Sequence, residues 1–300
     1  MGISKEIWAR DVADKLFPNN SFMAAGISDD VFVENTKVHL PQSGANPTVE
    51  RNRAVLPATI VQRTDTITDY DLDEFTSDPT LITDIDAIEV SYDKRQSVLR
   101  QHIGQINAKL AEWVAYHWGA TALANMVRTT GSNRTAFVSG ATGNRKLLQL
   151  ADILNAKRLL DNMNVPMDGR VMVMPGEMYN DLLNIDKILS AEYNQSGRLP
   201  EGVVNRVFGF DIFIRSSVIS YTNASTPVRR EPGAVDLTTA NAGILCFHRD
   251  FVRRALGTVK VYSDEDKPEY YGSIFSAMAR AGAAKAYSDE TGVVAIIEGQ

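Results

Sequence analysis

The stretch Phe137-Val138-Ser139-Gly140-Ala141-Thr142-Gly143 is the segment of this chain closest to a known chemical motif. An apolar run entering closely spaced glycines is how a dinucleotide-binding turn opens, with backbone N–H groups free to face a pyrophosphate. The third glycine, which lets helix pack closely on strand, would have to fall at Lys146, and it does not. A phosphate-cradling loop also needs a Gly-Lys-Ser/Thr ending, which is missing, so a plain loop is expected here. Asp69, Asp71 and Asp73 fall on one strand face at period two and could approach a divalent cation. They lack the glycine and distal glutamate of a calcium-binding loop, so a solvated face, or one paired with a neighbour's arginines, is expected. Asp264-Glu265-Asp266, near Glu269, reads as an acidic loop. His39, His102, His117 and His248 are scattered without metal-ligand spacing, and no serine sits in a Gly-x-Ser-x-Gly elbow. Cys246, inside Ile244-Leu245-Cys246-Phe247, is expected as a buried strand residue. The expectation is a chain with no catalytic, cofactor-binding or metal site.

The bulk properties point the same way. Of the 300 residues, 44 % are hydrophobic and 23 % charged, enough for one large or two modest cores and too apolar for a disordered chain. A net charge of -6 argues against naked nucleic acid as the main partner. One cysteine rules out an intramolecular disulfide framework and fits a reducing compartment. No apolar run reaches the ~18 residues of a spanning helix, and Met1-Gly2-Ile3-Ser4-Lys5-Glu6 does not open a secretory signal. Synthesis in a cytoplasm, with no membrane partner, is therefore expected.

The elements suggest assembly. Residues 1–37 read as an N-terminal arm with one or two short helices. Residues 38–84 form a polar, proline-dotted arm whose middle reads as two strands, Leu56–Arg63 and Thr66–Phe75, joined at Thr64-Asp65. Such a hairpin is marginal alone and needs a surface to lie on. Ser91 then caps a helix expected to run from Tyr92 to Val127 and to stop at Gly131. Its stripe is Leu99, Ile103, Ile106, Leu110, Trp113, His117, Ala120, Ala124 and Val127. Further helices are expected at Leu147–Met163, from Pro175 through Leu183, and at Asp250–Leu256. Strands are expected at Ala136–Val138, Arg170–Met174, Gly209–Ile214, Ala242–Phe247, Gly257–Tyr262, Tyr270–Met278 and Val293–Ile297. Helix early and strand late make an α+β fold.

This order resembles the Hong Kong 97 fold of tailed-bacteriophage major capsid proteins. The resemblance rests on Ile88-Glu89-Val90-Ser91 leading into the long helix, and on Leu148–Met163 followed by Val165-Pro166 and Val171-Met172-Val173-Met174-Pro175. It also rests on Phe208-Gly209-Phe210-Asp211-Ile212-Phe213-Ile214 and then Arg215-Ser216-Ser217. The opening, Asp30-Val31-Phe32-Val33-Glu34-Asn35 with Val38-His39-Leu40-Pro41, is similar to capsid subunits from phages of Bacteroidetes hosts. The resemblance implies an arm (1–37), an extended hairpin loop (38–84), a peripheral domain with a spine helix (85–146), an axial domain (147–245) and a return to the peripheral domain (246–300). It implies self-assembly as hexamers and pentamers into an icosahedral shell around double-stranded DNA, held without sequence specificity. A separate scaffolding protein, a portal and decoration proteins are the implied partners. Arg51, Arg53, Arg63, Asp69, Asp71 and Asp73 would meet neighbouring subunits, and Tyr193, Arg198 and Glu201 would face the capsomer centre. Other readings remain open: an encapsulin-like nanocompartment shell, a tail-tube or connector subunit, and a dinucleotide-dependent oxidoreductase using the Gly140 turn.

Some members of that family cross-link a hairpin lysine to a neighbour's asparagine, yet residues 51–75 contain no lysine. Mature shells, boiled and reduced, are therefore expected to run as a single monomer band on a denaturing gel; a covalent ladder would contradict this.

Overall fold

The computed structural model describes residues 17–32, 37–54, 56–83, 94–185 and 206–300. The strands, in chain order, begin with β1 (Ile27–Ser28), β2 (Lys37–Gln42), β3 (Thr66–Asp71), β4 (Asp73–Thr76) and β5 (Thr80–Thr83). After helix α1 (Lys94–Trp118) come β6 (Met126–Arg128), β7 (Asn133–Thr135) and β8 (Asn144–Lys146). Helix α2 (Leu150–Asn162), β9 (Arg170–Pro175) and helix α3 (Gly176–Leu183) follow. The remainder is strand: β10 (Arg206–Val207), β11 (Phe210–Arg215), β12 (Ile219–Thr222), β13 (Ala240–His248), β14 (Val252–Leu256), β15 (Lys260–Lys267), β16 (Gly272–Lys285) and β17 (Val293–Ile297).

One sheet runs β10-β11-β9-β13-β17-β6, with β12 also paired to β13. Its central strands β9, β13 and β17 are buried at every position, and apolar side chains dominate residues 171–174, 244–247 and 293–297, because both faces are covered. Met172, Met174, Ile244, Cys246, Val294 and Ile296 face α2 and α3, meeting Ile153, Ala156, Leu160, Met178 and Leu182. The alternate residues Val171, Val173, Leu245, Phe247, Val293, Ala295 and Ile297 face the end of α1 at Val114, Ala115 and Trp118. Cys246 lies at 0 % exposure, and burial pushes its thiol pKa far up, which makes it inert packing. Pro175 precedes α3 in extended conformation, so its missing N–H falls where a helix start has no use for one.

The second sheet is built on β16. β15 and β14 pair along one edge, β5 and β4 along the other, and β1 extends the sheet beyond β14. Ala277, Ala279 and Ala281 alternate onto one face of β16, where their small side chains let α1 approach through Ile106 and Leu110. The apolar stripe of α1 is thus consumed inside its own chain. Ile103, expected on that stripe, is exposed.

Helix α1 holds 25 residues, about 38 Å at ~1.5 Å per residue, and it stops at Trp118 rather than continuing to Val127. Three charged groups explain the stop. The Arg229 guanidinium donates to the carbonyls of Tyr116, His117 and Gly119, and Lys285 Nζ donates to Gly119 at 3.2 Å. Cations there suit the negative end of the helix dipole. Glu290, its side chain buried, accepts from the N–H groups of Thr121 and Ala122, the Thr121 hydroxyl and Lys285 at 2.5 Å. The chain therefore turns off the helix into a fixed carboxylate.

Other sequence expectations are also corrected. Residues 56–63 form no strand, and the hairpin is β2 against β3, in register from Lys37↔Asp71 to Gln42↔Thr66. Residues 250–256 are not a helix: a short 3-10 turn, Arg249–Phe251, leads into β14, whose partner is β16. Residues 136–138 are likewise no strand; β7 and β8 form a small hairpin around them. The hairpin root crosses β16 at Gly282, where a Cβ would stand 2.6 Å from the Asp71 carbonyl oxygen and 2.7 Å from Leu72.

Two outcomes follow. Burial alone would raise the Glu290 pKa, but the hydrogen bonds from Lys285, Thr121 and Ala122 outweigh it and hold it at about 2. A depressed folded pKa contributes stability above the unfolded value, 4.5, and loses it as pH falls through about 2. Glu290→Gln should therefore cost on the order of 1–3 kcal/mol of unfolding free energy at neutral pH, lowering the melting temperature, and flatten the acid limb of the pH–stability curve. Gly282→Val should cost about 1–3 kcal/mol by overpacking in thermal or chemical denaturation, because backbone occupies the space its side chain needs.

Candidate inter-subunit surfaces

The hairpin β2–β3 is the part of the described chain that leaves the two cores, and its inner face is anchored. Val38, Leu40, Tyr70 and Leu72 pack with Ala255 of β14. Below them the Tyr70 hydroxyl donates to Asp29 Oδ2 at 3.0 Å, and Arg253 holds Asp29 Oδ1 at 2.8 Å. Burial beside that carboxylate pushes the Tyr70 hydroxyl pKa up, so it stays a neutral donor. Asp30 continues the clamp by accepting from the Leu256 N–H at 2.7 Å.

The outer face carries the charges anticipated from sequence. Asp69, Asp71 and Asp73 are exposed and alternate with buried Tyr70 and Leu72, as the period-two spacing requires. Two of them already have a partner: Lys37 Nζ lies 2.9 Å from Asp69 and 3.3 Å from Asp71. Hydrogen bonding to these carboxylates raises the lysine's pKa, and the lysine in turn lowers that of Asp69. Arg53 pairs with Glu50 at 3.2 Å and Arg63 with Asp65 at 2.6 Å. Asp65 also accepts from the Gly44 N–H at 2.8 Å, which ties the two ends of the intervening loop together. Arg51 and Asp73 enter no ion pair among the described residues. Tyr193, Arg198 and Glu201 lie outside the described residues.

Sequence reading missed Lys37 and Asp29, which become visible only once β2 is known to be the partner of β3. It also missed a groove of about 400 Å³ beside α1, between Phe17, Asp78, Val98 and His102. On its floor His102 Nδ1 and Ser77 Oγ are 2.8 Å apart, while Ser77 Oγ also accepts from the Ala277 N–H. That serine hydroxyl is committed to holding the β4 end against β16. His117 stacks on Trp113, and burial lowers its pKa, so it is a packed neutral ring. The Gly140 turn joins β7 to β8 instead of a strand to a helix, and Leu237 lies where a Cβ of Gly140 would point, so it is not laid out as a dinucleotide cradle. No group of three or more potential metal-ligating side chains occurs among the described residues.

Comparison with known proteins agrees with this geometry. The family model described as phage capsid protein matches residues 105–298, more than half of the chain. No curated protein matches the sequence. Among solved structures, that of Mycobacterium phage Che8 superposes with a TM-score of 0.72 at 19 % identity, covering 98 % of this chain and 97 % of that one. The capsid of cyanophage P-SCSP1u gives 0.70 at 16 % identity, covering 98 % and 92 %. The head structure of Helicobacter pylori bacteriophage KHP40 gives 0.67 at 10 % identity, covering 98 % and 95 %. At such identities the likeness carries the fold, and the family model carries the kinship. The chain belongs to the phage capsid protein family, and it is a structural, non-enzymatic virion component with a Hong Kong 97-like fold.

Proposed function

We propose that this protein is the major head subunit of a tailed phage, assembling as hexamers and pentamers into a closed icosahedral shell around double-stranded DNA. The single observation that carries the proposal is the capsid family match over residues 105–298, on a chain whose whole length follows the capsid fold. The division into arm (1–37), hairpin loop (38–84), spine-bearing peripheral domain (85–146), axial domain (147–245) and peripheral return (246–300) belongs to this reading. So does assembly in the host cytoplasm with a separate scaffolding protein, a portal and decoration proteins.

In this reading the hairpin and its loop, with Arg51, Arg53, Arg63, Asp69, Asp71 and Asp73, lie across an adjacent subunit. The segment holding Tyr193, Arg198 and Glu201 lines the capsomer centre. Physical support comes from the division of labour inside the chain. The spine helix and both sheets satisfy one another, while the loop 43–65 finds no core of its own. Such an element suits a subunit of a closed shell, whose heterologous contacts have to curve and close. Negative-stain microscopy of the expressed protein, with its scaffold where required, should show closed isometric particles. Rings, tubes, or shells loaded with a cargo enzyme would overturn the reading.

A further inference from the structure

Charges from three separate elements converge on one side chain, His117. It lies one turn beyond Trp113 on α1, and the two rings stack with centroids 5.8 Å apart and planes 29° apart. Strand β4 supplies Asp73 and Phe75, which alternate onto the same face, with Glu74 on the other. Phe75 meets Trp113 edge-on at 6.5 Å, and Asp73 and His117 line a shared cavity of about 10 Å³ with Gly282 of β16. From the loop 223–239, Arg229 lies over the Tyr116 ring at 4.6 Å and donates to the His117 carbonyl at 3.3 Å. From β16 comes Lys285, already bound to Glu290. Glu112, on α1 itself, is paired with Lys109. Asp73 is the carboxylate of this junction with no ion pair among the described residues.

Burial first, then the Arg229 and Lys285 cations, holds the His117 pKa below its usual 6.5, while Asp73 pulls the other way. The ring is therefore neutral at neutral pH. We propose that His117 is a proton-operated tie between the root of the hairpin and the end of helix α1. Neutral, it packs on Trp113 and leaves Arg229 to cap the helix carbonyls. Protonated, it draws in Asp73 of β4 and pushes against Arg229. Two further features receive the charge: the electron-rich face of Trp113 and the negative end of the helix dipole. Acid thus exchanges one hold for another, tightening the hairpin root on α1 and loosening the cap on residues 116–119. A depressed histidine pKa means that stability present above 6.5 is lost as pH falls toward the folded value. The proton therefore works against the capped arrangement.

Tryptophan emission of the full-length protein, titrated from about pH 8 to about pH 4, tests this. An imidazolium stacked on an indole quenches its emission, and a neutral imidazole does so far less. The wild type should show a quenching transition with its midpoint below 6.5. That transition should be absent from His117→Phe, which keeps the stack and cannot take a proton. Asp73→Asn, at an exposed position, should lower the midpoint by roughly half a unit, because the partner charge is gone. Hydrogen–deuterium exchange at residues 116–122 should be faster in the wild type than in His117→Phe at equal pH below the midpoint, and the same above it. A transition that survives in His117→Phe, a midpoint unmoved in Asp73→Asn, or equal exchange at acid pH would overturn the proposal. Should His117→Phe fail to fold, the Asp73→Asn midpoint decides alone. The tie lies within one chain, so its failure leaves the shell reading standing.

Discussion

Trp118 is the point on which both halves of the molecule depend. Its indole is fully buried at the end of the spine helix, edge-on to Phe22 with ring centroids 6.0 Å apart and 5.0 Å from the ring of Phe247. Its Nε1 donates to the Arg253 carbonyl at 2.9 Å, so the side chain that seals the core under the sheet of β9, β13 and β17 is also bonded to the sheet built on β16. Gly26 passes so close that a Cβ there would stand 2.7 Å from the ring, which makes that glycine a steric requirement. A large aromatic with a single polar handle suits this position, because its area fills the junction and its N–H fixes its rotation.

Around that junction the covering of surfaces decides the sequence pattern. Where a sheet is covered on both faces, as along residues 171–174 and β17, the residues are apolar without alternation and the local sequence announces the strand. Val293–Ile297 is legible end to end for this reason. Where only one face is covered, alternation appears, as in the Asp69–Asp73 run. Where a helix lies over a strand at close range, alanine recurs every second residue, as from Ala277 to Ala283.

What the sequence hid was set by partners distant along the chain. The spacing of Ala120, Ala124 and Val127 continues the helical stripe past Trp118, and only Arg229, Lys285 and Glu290 end it there. Leu56, Ile60 and Val61 read as a strand from composition, yet β3 is taken by Lys37–Gln42 and those side chains are left outside. Residues 252–256 carry helix-forming arginine, alanine and leucine, and β16 overrides that preference with a ladder of backbone bonds. The candidate surface followed the same rule: the acidic face was legible from period two, and the lysine that occupies it was not.

The single strand β16 organises the second sheet: helix α1 on one face, β14 and β15 along one edge, β4 and β5 along the other. Its ladder to β4 is antiparallel, with hydrogen bonds perpendicular to the strands. A pull on the hairpin directed along β4 therefore loads those bonds in shear, all together, instead of peeling them one by one. The strand works as a tie rod: tension entering at the hairpin is spread along its length and carried to the helix packed on its face.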